Sequence, residues 1–117
     1  MAKLTGGQAI VKSLRNYGVD TIFGLPGIQL DHLFNALHDE GNAIRVLNAR
    51  HEQGTAYMAF GYAQSSGRVG VYAVVPGPGL LNTTAALATA YGCNAPVLAL
   101  TGQIPSAAVG QGFGQLH

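Results

Sequence analysis

Residues 69–79 read Val-Gly-Val-Tyr-Ala-Val-Val-Pro-Gly-Pro-Gly, a run of small, aromatic and β-branched residues that ends in two Pro-Gly pairs. A short, charge-free and β-branched run bounded by turn residues is the pattern of a strand buried on both faces. Pro76-Gly77-Pro78-Gly79 then reads as a turn into a helix of small residues that ends near Tyr91-Gly92. A strand covered on both faces needs a layer on either side of its sheet, and the flanking sequence supplies the elements to build them.

Upstream of this strand, Glu52 opens a predicted helix carrying Ala56, Ala59, Phe60 and Ala63, and residues 48–51 connect it to a strand over Ile44 to Leu47. Before that, Leu30, Leu33, Phe34 and Leu37 fall at the i, i+3, i+4, i+7 spacing of one helix face, stopped by Gly41-Asn42. Gly24-Leu25-Pro26-Gly27 is a turn after a short strand over Val19 to Phe23. Thr5 and Gln8 have the spacing of a capping box; Ile10, Leu14 and Tyr17 then share a helix face, and Gly18 ends that helix. Downstream, Val97 to Thr101 is a fourth strand. Strands and helices alternate throughout, so the expected architecture is α/β: one domain over 1–117, a parallel sheet in three layers with helices on both faces. Ligands of such sheets sit outside the carboxyl ends of the strands, where loops 24–27, 48–52, 76–79 and the one after Thr101 would meet.

Composition limits the partners. Of the 117 residues, 48% are hydrophobic and 9% charged, against the roughly 25% charged usual for soluble domains. After Glu52 the only Lys, Arg, Asp or Glu is Arg68, so much of the second half is expected to be covered, by its own layers or by a partner chain. A net charge of +1 and the lack of a basic run give no support to nucleic-acid binding. The stretch from Leu80 to Leu100 is uncharged but interrupted by Asn82, Thr83, Thr84, Thr89, Asn94 and Pro96, which argues against a membrane span. Lys12 and Arg15 interrupt any early apolar run, so no signal peptide is expected and the setting is cytoplasmic. Cys93 is expected as a small buried hydrophobe.

Three candidate chemistries come from the residues themselves. His51-Glu52 lacks the second His that a zinc-protease helix needs, since position 55 is Thr. No Cys/His/acid set has metal-ligand spacing, so no metal residue is assigned. Gly77-Pro78-Gly79 could open a dinucleotide fingerprint, but the third glycine position is Asn82 and no acid follows Glu52 to hold a ribose. Glu52 by position alone is a first-turn acid that complements the helix dipole.

Taken in order, however, Gly24-Leu25-Pro26-Gly27, Arg50-His51-Glu52-Gln53-Gly54 with Ala56, Met58, Ala59, Gly61, Tyr62 and Ala63, Gly77-Pro78-Gly79 with Asn82, and Pro96-Val97 leading to Thr101-Gly102 resemble the N-terminal pyrimidine-binding (PYR) domain of thiamine diphosphate enzymes. Within that family the motifs resemble those of acetolactate synthase, with benzoylformate decarboxylase and pyruvate oxidase as relatives. The resemblance covers nearly the whole chain. It implies that Glu52 hydrogen-bonds N1′ of the cofactor's aminopyrimidine, so that the 4′-nitrogen can take the C2 proton of the thiazolium, in a 2-oxo acid decarboxylase or carboligase. An apolar site would raise the pKa of such a carboxyl by loss of hydration. Pro26 and Gly27 would lie near the ring, and Pro78 and Asn82 would be contact positions of the second Gly-Pro loop. His51 is open between packing and catalysis.

The resemblance also implies what else the site needs. Magnesium and the diphosphate would be held by a PP domain, of the same longer protein or of a second subunit, in a homodimer or homotetramer. The chain would then be a truncated PYR fold, inactive alone, or a structural assembly module. Two departures stand out. Val75 and Pro76 precede Gly77, where the family often has Ser or Thr at the first of these positions. Gly112-Phe113-Gly114-Gln115 keeps only the Phe of the family's Ala-Phe-Gln-Glu, with Gln115 as a possible replacement amide.

Overall fold

The structure is a computed structural model, and it describes residues 3–112. Five helices and four strands alternate along the chain: α1 (Gly6–Asn16), β1 (Thr21–Gly24), α2 (Asp31–Asp39), β2 (Arg45–Asn48), α3 (Glu52–Ser66), β3 (Gly70–Val74), α4 (Pro78–Leu81), α5 (Thr84–Gly92) and β4 (Val97–Thr101). The strands form one sheet in the order β2-β1-β3-β4, with every neighbouring pair parallel. Gly70–Val74, within the run that opened the sequence analysis, is the inner strand β3, buried at every position; Val69 before it is exposed.

The period of two along the strands sorts side chains into two cores. Ile22, Val71 and Ala73 pack with Val11 and Leu14 of α1 and Leu33 and Leu37 of α2. Phe23, Tyr72 and Val74 face the other way, onto Ala56 and Ala59 of α3 and Ala86 of α5. This is the expected three-layer arrangement. Each fully buried Ile or Val contributes about 1.5–3 kcal/mol relative to exposure. The helices contribute alanines to the second core, and α3 comes very close to β3: a side-chain carbon on Gly70 would land on the Ala59 carbonyl. Gly7 allows the same approach of α1 to the His32 carbonyl of α2.

Local signals act largely as expected. Thr5 Oγ1 accepts from the Gln8 N–H at 3.2 Å while Gln8 Oε1 accepts from the Thr5 N–H at 3.0 Å, closing the capping box. Gly18 and Gly41 take positive φ after their helices. The face of α1 differs from expectation: Gly7, Val11 and Leu14 are buried, while Ile10 and Tyr17 point outward. Tyr17 is the C-cap, beyond the last turn that α2 covers. Cys93 is exposed, because it is the C-cap of α5 at the sheet's rim and not a core position. The helix expected after residues 76–79 is broken in two between α4 and α5, and Pro78 and Gly79 belong to the first piece rather than to a turn. Among the described residues no helix is long and apolar enough to cross a membrane.

Candidate functional site

From β1 the chain runs to β2 on one side, then returns to β3 on the other, so the sheet's switch point lies between β1 and β3. At that point the Leu25 N–H donates to the Ala73 carbonyl at 3.0 Å, carrying the ladder one residue beyond β1. Gly27 then meets Val75. A side-chain carbon on Gly27 would collide with Val75 Cγ1, and one on Gly79 would stand 2.6 Å from Cγ2. Val75 is thus a wedge between two loops, each of which needs glycine at the contact. The polar contact missing at Val75 is replaced by an apolar floor.

Glu52 stands over this floor as the first residue of α3. His51 is the N-cap: its backbone is extended, and its Nδ1 accepts the Gln53 N–H at 3.1 Å. The His51 carbonyl accepts the Thr55 N–H at 3.2 Å, with the fully buried Thr55 hydroxyl on the same oxygen at 3.4 Å. His51 thus caps the first turn on which Glu52 sits.

The Glu52 carboxylate is half-buried and divided between two surroundings. Oε2 accepts a hydrogen bond from Asn82 Nδ2 at 3.1 Å, and Oε1 lies 3.7 Å from where a side-chain carbon of Gly79 would be. Oε1 accepts no hydrogen bond from the described residues. Of the predicted residues, Glu52 and Asn82 are thus in direct contact, and Gly27 joins them through Val75 and Gly79. Pro78 is the first residue of α4, and it and Pro26 are exposed on the rim. The fourth loop also reaches this edge, since Gly102 packs on the backbone of Gln29 just beyond Gly27. Phe113, Gly114 and Gln115 lie outside the described residues.

Two features of the site follow from the break between α4 and α5. Asn82 is the C-cap of a four-residue helix, which frees its amide to turn onto Glu52. A dinucleotide fold would instead run a full helix from this loop with glycine at position 82, so the Rossmann reading has no footing here. Below the break, burial pushes the Tyr72 phenol pKa up, against a smaller opposing effect of its hydrogen bond with Thr83, so it stays protonated.

A cavity of about 800 Å³ lies between α2 and β2, lined by Phe34, Leu37, His38, Val46 and others. It borders the switch point only at Pro26 and Asn48 and contains neither Glu52 nor Asn82.

The family model described as "Thiamine pyrophosphate enzyme, N-terminal TPP binding domain" matches residues 4–117. The chain belongs to the thiamine pyrophosphate enzyme family. A probable 2-ketoarginine decarboxylase of Pseudomonas aeruginosa is 46% identical over 97% of this chain and 20% of its own length. An acetolactate synthase of Arthrospira platensis is 44% identical over 92% of this chain and 19% of its own, and the acetolactate synthase large subunit of Haemophilus influenzae is 40% identical over 94% and 19%. The chain thus spans about one fifth of the length of these relatives. The family's TPP binding domain and the α/β sheet with its switch-point loops agree; the motif reading named Val75 and His51 but missed that the first is a wedge between two loops and the second a helix cap. A nitrogen-bearing ring before a glutamate at a helix start was the available sign of the cap; the wedge joins Gly27 and Val75 from loops far apart in the sequence and left no such sign.

Proposed function

We propose that this chain is the aminopyrimidine half-site of a thiamine diphosphate-dependent 2-oxo acid decarboxylase or carboligase, with Glu52 as the carboxylate that shares a proton with the pyrimidine. The observation that carries the reading is the state of the Glu52 carboxylate: one oxygen fixed by Asn82, the other turned to a crevice floored by Val75 and free of side chains at Gly27 and Gly79. A flat ring can approach such a floor, and the uncommitted oxygen can accept its N–H. When bound, the cofactor supplies a carbon acid and an electron sink for loss of carbon dioxide. The protein's part is to hold Glu52 rigidly at the ring nitrogen, through the His51 cap and the Asn82 amide, and to keep water from the ring's lower face through Val75.

Magnesium and diphosphate are assigned to a PP domain, of the same longer protein or of a second subunit, in a homodimer or homotetramer. The incompletely buried Glu52 carboxylate, with one oxygen not engaged by the described residues, supports a site that is completed from outside the domain. In the complete protein, Glu52→Gln is expected to slow exchange of the cofactor's C2 proton by about 10²–10⁴-fold, the usual contribution of a positioned proton-transfer group. Unchanged exchange would remove Glu52 from the role. For the chain alone, calorimetry with thiamine diphosphate and magnesium should show weak or no binding. Tight binding there would contradict the half-site.

A further inference from the structure

Tyr72 is the largest fully buried side chain, 0% exposed in the middle of β3. A buried phenol needs a hydrogen-bond partner, and among the described residues its only one is Thr83 Oγ1 at 2.8 Å, itself fully buried. The direction of that bond is fixed by the next one. Thr83 Oγ1 lies 2.7 Å from the Leu80 carbonyl, which can only accept, so the threonine proton goes to Leu80 and Tyr72 must donate to Thr83. The Thr83 N–H also donates to the Leu80 carbonyl, at 2.9 Å.

The Leu80 carbonyl is thereby taken by Thr83 twice, in place of the Thr84 N–H that an uninterrupted helix would bring to it. One residue on, the Thr84 hydroxyl takes the Leu81 carbonyl at 2.8 Å. These bonds hold the break between α4 and α5. Thr83 is at the N-cap of α5 yet makes no side-chain cap bond, because its hydroxyl is used for the break instead. The residue left in the break is Asn82, whose amide donates to Glu52.

We propose that Tyr72 is a positioning residue of the Glu52 site: its phenol fixes Thr83, Thr83 fixes the break at Leu80, and the break sets the Asn82 amide on the Glu52 carboxylate. The inference rests on Glu52 being the proton-sharing group. A phenylalanine would fill the same volume in the core, so the hydroxyl is what the site requires.

The test combines Tyr72→Phe, Asn82→Ala and the double variant in the complete protein. In the cofactor-free protein, hydrogen–deuterium exchange of the backbone over residues 80–84 should speed up in Tyr72→Phe while the α1 and β1 segments keep their protection. With cofactor and magnesium, Tyr72→Phe should slow C2 proton exchange by about tenfold, the effect of one buried bond left unmade. In the Asn82→Ala background it should add less than about twofold, since the amide it positions is gone. Thr83→Val, which keeps the shape without the hydroxyl, should behave as Tyr72→Phe does and serves if the latter folds poorly. Unchanged protection over 80–84, or a full effect in the Asn82→Ala background, would overturn the proposal. If Glu52→Gln leaves C2 exchange unchanged, the Glu52 reading fails and the positioning role with it; if Glu52→Gln is impaired and Tyr72→Phe is not, the Tyr72 inference alone fails.

Discussion

Val75 and the two glycines around it form the smallest unit of the site. Because Gly79 already stands against Val75 Cγ2, Gly79→Ala should destabilise the chain by about 1–3 kcal/mol, the usual cost of overpacking, read from urea unfolding. Val75→Ala should recover part of that loss in the double variant, since the two side chains compete for one space. Additive effects would show that the wedge is not under tension with its neighbours. His51 allows a cleaner separation of cap from chemistry. His51→Ala should cost about 1 kcal/mol through the lost cap, whereas His51→Asn, which keeps an acceptor at the N-cap, should retain most of the stability and of the cofactor's C2 exchange. Loss of exchange in a stable His51→Asn protein would give the imidazole a role of its own. Glu52, Asn82 and the two glycines were all legible in the motif order. The wedge and the cap were not, because each depends on a direction of a side chain that no spacing along the chain specifies.

Helices and strands were legible wherever the apolar period was strong. The expected helix face of Leu30, Leu33, Phe34 and Leu37 packs into one core, with Phe34 only partly buried and Leu30 just ahead of α2, and the strand expected over 69–75 is buried over 70–74. The α4–α5 break had only a weak local sign, the poor helix formers Asn82, Thr83 and Thr84, which lower helix propensity without forbidding a continuous helix; the break is held by Tyr72, which comes from another element. At the opposite end of the sheet, Arg68 ties the α3–β3 connection to β1. It donates to Asp20 at 3.0 Å and to the Gly18 carbonyl at 2.6 Å, and lies over the Tyr62 ring at 5.9 Å. Its hydrogen bond, with that of Thr21, holds the Asp20 carboxyl below the ordinary 3.8. A carboxyl with a lowered value in the folded state binds its proton less readily than in the unfolded chain. Its stabilisation is therefore present above the ordinary value and is lost as pH falls through the depressed one. Unfolding measured from pH 5 downward should thus show an acid-side loss that Asp20→Asn reduces; an identical pH profile would take Asp20 out of that loss.

The charge-poor second half is only partly covered by its own layers. Ala86 and Ala90 pack inward on the sheet, but Ala85 and Ala88 face outward with Leu81, 66% exposed, and Tyr91, 87% exposed. On α3, Tyr57 and Met58 are exposed beside them, and the Tyr57 hydroxyl reaches Thr89 at 3.4 Å. Large apolar side chains exposed together are unusual on a free surface, so we propose this α3–α5 patch for the dimer contact. Tyr91→Glu in the complete protein should leave the fold intact and shift sedimentation toward the monomer. An unchanged sedimentation coefficient would move the contact elsewhere. The uncharged composition announced such a surface; which alanines face out was decided only when the helix met its sheet.

From the sequence came the alternation that dictates a parallel sheet, the buried run that must be its inner strand, and the ordered motifs that mark Glu52. These are properties of periodicity and of residue type, which survive in one dimension. The tertiary structure decided how Glu52 is held. Asn82 lies 30 residues from it and Tyr72 lies 20, and they act together only because a parallel crossover brings β3 and the α4–α5 break beside the start of α3. Hydrogen bonds of that kind depend on direction and distance in space, and local propensity carries no record of either.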